Sequence, residues 1–304
     1  MGHASRPQRW IAAILLIAAA LAWLALRPGT RPDRAAPTAA ISASDLPRPP
    51  LIAGSAAAGH PPAPVPRHTI SGAVRRLGPK AFLLEGSTVP PEGKAVDIIR
   101  ALQGPAENGD GHAALMIALK LMSCQSAIEE QDNDESLFIW AQVLGGVDEV
   151  LRRRAQALAL CEGLDADTLS RPGEWLQRAA DAGNINAQVY YASAAHLVLG
   201  TQTDMLRAPE RTLDYKARAL QYLQLAARQG SVDALYELGS AYWRGILVER
   251  DDGRAYAYFL AGARAGDQVK SWDMEQLEAS IPVEQRHQAA TLEKKIYRDC
   301  CKAD

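Results

Sequence analysis

One glycine frame recurs along this chain and limits what it can fold into. Its clearest copy is Trp175-Leu176-Gln177-Arg178-Ala179-Ala180-Asp181-Ala182-Gly183, with Ala187 four residues further on. The frame returns as Tyr222-Leu223, Ala226-Ala227, Gly230 and Ala234, and again as Tyr258-Phe259, Gly262-Ala263 and Gly266. A fainter copy reads Ala101-Leu102, Ala106, Gly109 and Ala113. A unit of this size cannot bury its apolar face alone, so successive copies must stack on one another. The chain is therefore expected to build a helical solenoid.

The glycine is expected to end one helix in the left-handed conformation that side chains with a Cβ avoid. Asp110, Asn184, Ser231 or Asp267 follows each glycine, and the side-chain oxygen of each can cap the next helix. The alanines around the glycine, among them Ala180, Ala187, Ala227 and Ala234, let two antiparallel helices approach closely. Larger residues such as Leu176, Leu223, Phe259, Ile117 and Leu238 then fill the space between units. Gly230 and Gly266 are 36 residues apart, and Gly109 and Gly183 are 74 apart, twice 37. A concealed unit is expected at the midpoint, where Gly146 follows Phe138-Ile139 and precedes a helical stretch running to Cys161. The interval from Gly183 to Gly230 is 47; its surplus falls at residues 200–209, which read as a loop inserted on one face.

Over residues 219–266 the pattern becomes specific: Ala219, Tyr222, Leu223, Ala226, Ala227, Gly230, Ala234, Leu238, Gly239, Tyr242, Gly245, Ala255, Tyr258, Ala263 and Gly266. It resembles the Sel1-like repeat, a relative of the tetratricopeptide repeat with a slightly longer period. The resemblance also covers residues 175–195 and, more weakly, 98–122; the last copy departs from it at Lys270, where an alanine is expected. It implies an all-α fold, a right-handed solenoid of helix-turn-helix units spanning residues 92–304 and sealed by a closing helix over 282–299. It also implies an adaptor or regulatory role in bacterial envelope or signalling complexes, with a protein or peptide partner held in the solenoid groove.

The first ninety residues are different in kind. Residues 10–26 form an unbroken apolar run with Arg6 and Arg9 before it and Arg27 after it. Residues 1–27 read as a signal anchor crossing the membrane, with a cleaved signal peptide ending near Ala18-Ala19-Ala20 as the alternative. Residues 28–67 hold ten of the eighteen prolines and read as a disordered, semi-extended linker. Residues 68–91 are left open as an additional helix or hairpin. Charge divides along the same boundary: residues 1–91 carry a net of +7 and residues 92–304 a net of −9. So acidic a body argues against nucleic acid as a partner, since binding phosphates requires clustered Lys and Arg. The expected location is the bacterial inner membrane in a single pass with the repeats in the periplasm, or free in the periplasm after signal cleavage.

Cys124 and Cys161 each stand fifteen residues after a frame glycine. They are candidates for a disulfide, which favours an oxidising compartment. Cys300 and Cys301 are open to an intermolecular bridge and hence self-association, a vicinal disulfide, or no bond. Histidines 3, 60, 68, 112, 196 and 287 are scattered without metal-ligand spacing, and neither a nucleophile-elbow nor a phosphate-loop motif occurs. No metal, cofactor or catalytic residue is assigned. Tyr191, Tyr236, Tyr242 and Trp243 lie on second helices of successive units and are the candidate partner-binding residues. The leading reading is a non-enzymatic scaffold. Its rival is an envelope hydrolase acting on peptide or cell-wall substrates, with Asp233 or Glu237 as acid or base.

Overall fold

The computed structural model describes residues 68–86, 88–129, 134–266 and 272–302. The apolar run of residues 10–26, the linker 28–67, Asp267 and Lys270 lie outside them. Among the described residues no helix is long and apolar enough to cross a membrane. In chain order the elements begin with strands β1 (Ala73–Arg76) and β2 (Phe82–Glu85), then helices α1 (Ala95–Glu107), α2 (Gly111–Glu129), α3 (Asp134–Leu144) and α4 (Val147–Ala159). There follow α5 (Ala166–Leu169), α6 (Pro172–Asp181), α7 (Ile185–Tyr191), α8 (Ala195–Leu199) and α9 (Gln202–Arg207). The chain closes with α10 (Pro209–Arg228), α11 (Val232–Arg244), α12 (Asp252–Gly266), α13 (Trp272–Ser280) and α14 (Val283–Cys301).

Three helix pairs, α1–α2, α6–α7 and α10–α11, are joined by the same turn. Gly109, Gly183 and Gly230 have φ of 90°, 83° and 100°. In each turn the glycine N–H donates to a carbonyl three residues back, in Ala106, Ala180 and Ala227. The next N–H reaches five residues back, to Pro105, Ala179 and Ala226, at 3.0, 3.0 and 3.1 Å. These paired bonds satisfy the last carbonyls of the first helix as a Schellman motif does. Asp110, Asn184 and Ser231 then cap the second helix by accepting from the N–H groups of Ala113, Ala187 and Ala234. The turn chemistry read from the sequence is thus present at three of its sites. Gly266 departs from it, because it is the last residue of α12 and is not among the left-handed glycines.

The small residues do the packing work expected of them. Ala180, Ala187, Ala227 and Ala234 are all buried. A Cβ on Gly239 would sit 2.7 Å from the Phe259 ring, so that glycine sets the approach of α11 to α12. Gly245 ends α11 in the left-handed region at φ 65°.

Two expectations from interval arithmetic fail. The Gly146 hairpin exists as α3–α4, yet it does not stack between its neighbours. Instead α2 packs directly on α6, and a Cβ on Gly111 would lie 3.1 Å from the Ala179 carbonyl oxygen and from the Ala182 and Asn184 Cβ atoms, which leaves no room for a unit between them. The hairpin is an excursion from the end of α2, tied back where the Ala95 N–H donates to the Leu160 carbonyl at 2.7 Å. The Cys124–Cys161 disulfide closes it, with Cα atoms 5.6 Å apart. Second, residues 200–209 are not a plain loop but hold the short helix α9, which starts on a capping box in which Thr201 and Asp204 bond each other's backbone N–H.

Residues 68–91 resolve into an antiparallel β1–β2 hairpin, so the body is not purely helical. The segment runs along the turn edge and bonds successive turns. Thr69 donates to the Gly183 carbonyl and accepts from Ile185, and Phe82 donates to the Gly230 carbonyl at 2.9 Å. Ser71, buried, accepts from the Asn184 side-chain amide at 2.7 Å and lies 2.7 Å from His112 Nδ1 at the start of α2. Phe82 and Ala81 are buried among Leu223, Ala227 and Leu235. The closing helix is also placed differently from expectation. Rather than only ending the stack, α14 lies along α12 and reaches α10, with Ala289 buried and Leu292 and Ile296 half-buried.

Gly230→Ala is expected to cost more than Gly109→Ala. Both lose a left-handed glycine, about 1 kcal/mol, but only at Gly230 does the new Cβ collide with the Lys80 carbonyl, adding roughly 1–3 kcal/mol. Urea unfolding of the two variants checks this, and equal losses would contradict the packing. The disulfide spans 37 residues, and its removal by Cys124→Ser with Cys161→Ser is expected to cost up to about 4 kcal/mol by loop entropy. Hydrogen exchange should show that loss concentrated in α3 and α4.

Candidate functional site

The four candidate aromatics do not share a surface. Tyr191 is 1% exposed, its ring edge-on to Tyr222 at 5.1 Å and tilted on Tyr215 at 5.0 Å. Burial pushes its phenol up to about 12. The Tyr215 hydroxyl donates to the Tyr191 carbonyl at 2.6 Å, and the Tyr222 hydroxyl bonds Asp181. Tyr191 is therefore a core residue, closed over by Tyr215 and Tyr222 of α10. Tyr242 is also buried, stacked on Tyr258 at 5.7 Å with the Arg254 guanidinium 5.6 Å from its ring centroid. Tyr236 is half-buried and supports the α11–α12 contact: a Cβ on Gly262 would stand 3.1 Å from its ring.

Tyr191 borders a small cleft of about 160 Å³ with Tyr215 and Arg218, whereas Trp243 lines a much larger one. Gly245 ends α11, and the chain doubles back so that the Asp251 N–H donates to the Tyr242 carbonyl at 3.0 Å. That fold-back leaves a cleft of about 710 Å³ between the end of α11 and α13, lined by Trp243, Arg244, Ile246, Arg250, Leu277 and Ser280 among others. Leu277 is a buried floor residue and Ile246 is 55% exposed at the rim. Arg250 is held as a fork by Asp252, at 2.7 and 3.0 Å, while Arg244 is exposed at the last turn of α11. The cleft therefore joins an indole and two aliphatic side chains to two guanidinium groups. Such a surface suits an apolar side chain flanked by carboxylates. Arg250 escaped the sequence reading because only the fold-back brings it beside Trp243, whereas Arg244 and Ile246 are its neighbours in sequence.

Asp233, the first carboxylate of the hydrolase reading, is committed elsewhere. Its Oδ2 accepts from the Leu84 N–H at 2.8 Å, fastening β2 to α11, and burial pushes its carboxyl above the usual range. Of the three alternatives open for Cys300 and Cys301, the vicinal disulfide is the one present, and the one that would link two molecules is not. Cys300 and Cys301 are bonded to each other, and both are buried against the core that holds Phe82 and Leu235. Neither thiol is available to bridge a second molecule.

Paired helices on glycine turns, with small residues at the contacts, define a helix-turn-helix repeat protein. Residues 174–184, 213–231 and 232–267, in the C-terminal region, match the family model described as Sel1 repeat. The matches fall where the sequence resemblance is strongest; residues 98–122, where it is weak, are not among them. Sel1-like repeat proteins are generally protein-interaction scaffolds and typically non-enzymatic. No curated protein matches the chain. Among solved structures it is similar to c5321, described as a protective antigen present in uropathogenic Escherichia coli strains and displaying an SLR fold. The identity is 18%, with 69% of this chain and 57% of that chain covered and a TM-score of 0.26. The chain thus spans little more than half the length of that neighbour.

Tyr191→Ala is expected to lower stability by roughly 3–5 kcal/mol, as removal of a buried aromatic does. Trp243→Ala, at a partly buried side chain open to the cleft, should lower the melting temperature much less. Thermal unfolding followed by circular dichroism separates the two, and a Tyr191→Ala protein as stable as wild type would refute the core assignment.

Proposed function

We propose that this protein is a non-enzymatic scaffold that holds a protein or peptide partner at the Trp243 cleft. The observation that carries the reading is the cleft itself, an apolar floor of Trp243 and Leu277 between Arg244 and Arg250 where the end of α11 meets α13. The occupant it suits is an extended segment that inserts one apolar side chain and sets acidic groups against the arginines. Aromatic and arginine side chains are the residue types that most often anchor such contacts.

The scaffold is tethered in this reading to the inner membrane of a bacterium by the apolar run of residues 10–26. The proline-rich residues 28–67 hold the repeats off the bilayer. Two disulfides among the described residues, Cys124–Cys161 and Cys300–Cys301, favour the periplasmic side, where such bonds persist.

A photo-cross-linking residue in place of Ile246, at the cleft rim, is expected to trap the partner in intact cells, and Trp243→Ala or Arg244→Glu to remove the adduct without changing protein level. An adduct indifferent to both substitutions would end the assignment of the cleft. Thiol labelling of a cysteine introduced in the linker, with a membrane-impermeant reagent, tests the tether separately. Labelling only after cell disruption would place the repeats in the cytoplasm.

A further inference from the structure

The α3–α4 hairpin lies outside the repeat match and outside the three hydrophobic clusters that make up the core. Its inner stripe, with Leu144 and Val150, closes the hairpin on itself. A second apolar stripe points away. On α3 it shows Ile139, 60% exposed, Trp140 and Val143, 69% exposed; on α4 it shows Val147 and Leu151. These positions recur at helical spacing, so each helix presents a continuous apolar face to solvent. A monomer rarely leaves such a face uncovered. The disulfide to α2 fixes the hairpin against the body, which makes the face a preformed surface instead of a loose arm.

We propose that this face is an interface between two copies of this chain, the paired hairpins forming a four-helix bundle. Charge selects that occupant over a lipid surface. Residues 134–159 carry Asp134, Glu135, Asp148 and Glu149 against Arg152, Arg153 and Arg154, a net of −1 that gives no attraction to anionic headgroups. The same charges are self-complementary along α4, with acids in its first turn and arginines one turn later. A two-fold axis between antiparallel α4 helices sets Asp148 of each copy against Arg152 of the other, as an isologous contact requires. Glu149 already holds both Arg152 and Arg153 on its own copy, so the arginine side chains are pre-arranged on the exposed side. With 11 and 13 residues, the helices are about 17 and 20 Å long, enough for a short bundle.

Sedimentation equilibrium of the whole chain in a mild detergent tests the proposal. Wild type is expected to be a dimer. Val143→Asp and Leu151→Asp each place a charge in the buried contact and should weaken dimerisation about tenfold or more, while at concentrations too low for dimers their melting temperatures match wild type, because both side chains are exposed in the single copy. Asp148→Arg and Arg152→Asp should each weaken the dimer and together restore it. A monomeric wild type, or a dimer insensitive to both aspartate substitutions, overturns the proposal; so does failure of the charge exchange to restore what the single changes lost. The Ile246 cross-link reports on the Trp243 cleft independently, so failure of either reading leaves the other standing.

Discussion

Everything in the repeat body depends on a turn that leaves a glycine in the left-handed region between two helices. The conformation lets the glycine and the residue after it close the first helix, and the capping side chain opens the second. It has another effect: the glycine carbonyl is turned outward along the edge of the stack. At Gly183 and Gly230 those carbonyls accept from Thr69 and Phe82. One segment of chain can therefore run across successive turns and bond each in the same way, because each turn is built in the same way. The β1–β2 hairpin is the result, and the burial of Phe82 and Ala81 makes it part of the core rather than a covering.

What could be read in advance, and what could not, follows from the range of the forces involved. The turns were legible because their determinants sit within a few residues of each other: a glycine, a capping residue, alanines at helical spacing. The Cys124–Cys161 pair was legible for a reason that proved different from the actual one. Equal distances from two frame glycines suggested equivalent positions in stacked units; the bond instead closes an excursion on α2. Interval arithmetic counts residues and is blind to whether a unit stacks in line or stands aside, which here was decided by the direct contact of Gly111 with the Ala179 turn. The hairpin of residues 73–85 was hidden because its partners are turns more than a hundred residues away in sequence.

The candidate site shows the same limit from another side. Tyr191, Tyr236, Tyr242 and Trp243 all lie on second helices, yet only Trp243 opens onto the large cleft. The difference lies in what comes later in the chain. Helix α10 closes Tyr191 with Tyr215 and Tyr222, and α12 closes Tyr242 with Tyr258, while the fold-back after Gly245 leaves Trp243 beside Ile246 and two arginines. The two surfaces of interest are thus separate in origin: one lies where the last matched repeat meets α13, the other is an addition held by a disulfide. A scaffold with both is equipped to take a partner at one surface while a second copy occupies the other.

The central structural claim is that residues 69–85 are bonded to the repeat turns as an integral part of the stack. Native-state hydrogen exchange of the whole chain, resolved to single amides, tests it most directly. The Phe82 and Ile185 amides, which donate to the Gly230 and Thr69 carbonyls, are predicted to exchange as slowly as the interior amides of α10 and α11. Rapid exchange at Phe82 and Ile185 while α10 and α11 stay protected would contradict it, and would reduce the hairpin to a detachable cover on a solenoid that stands without it.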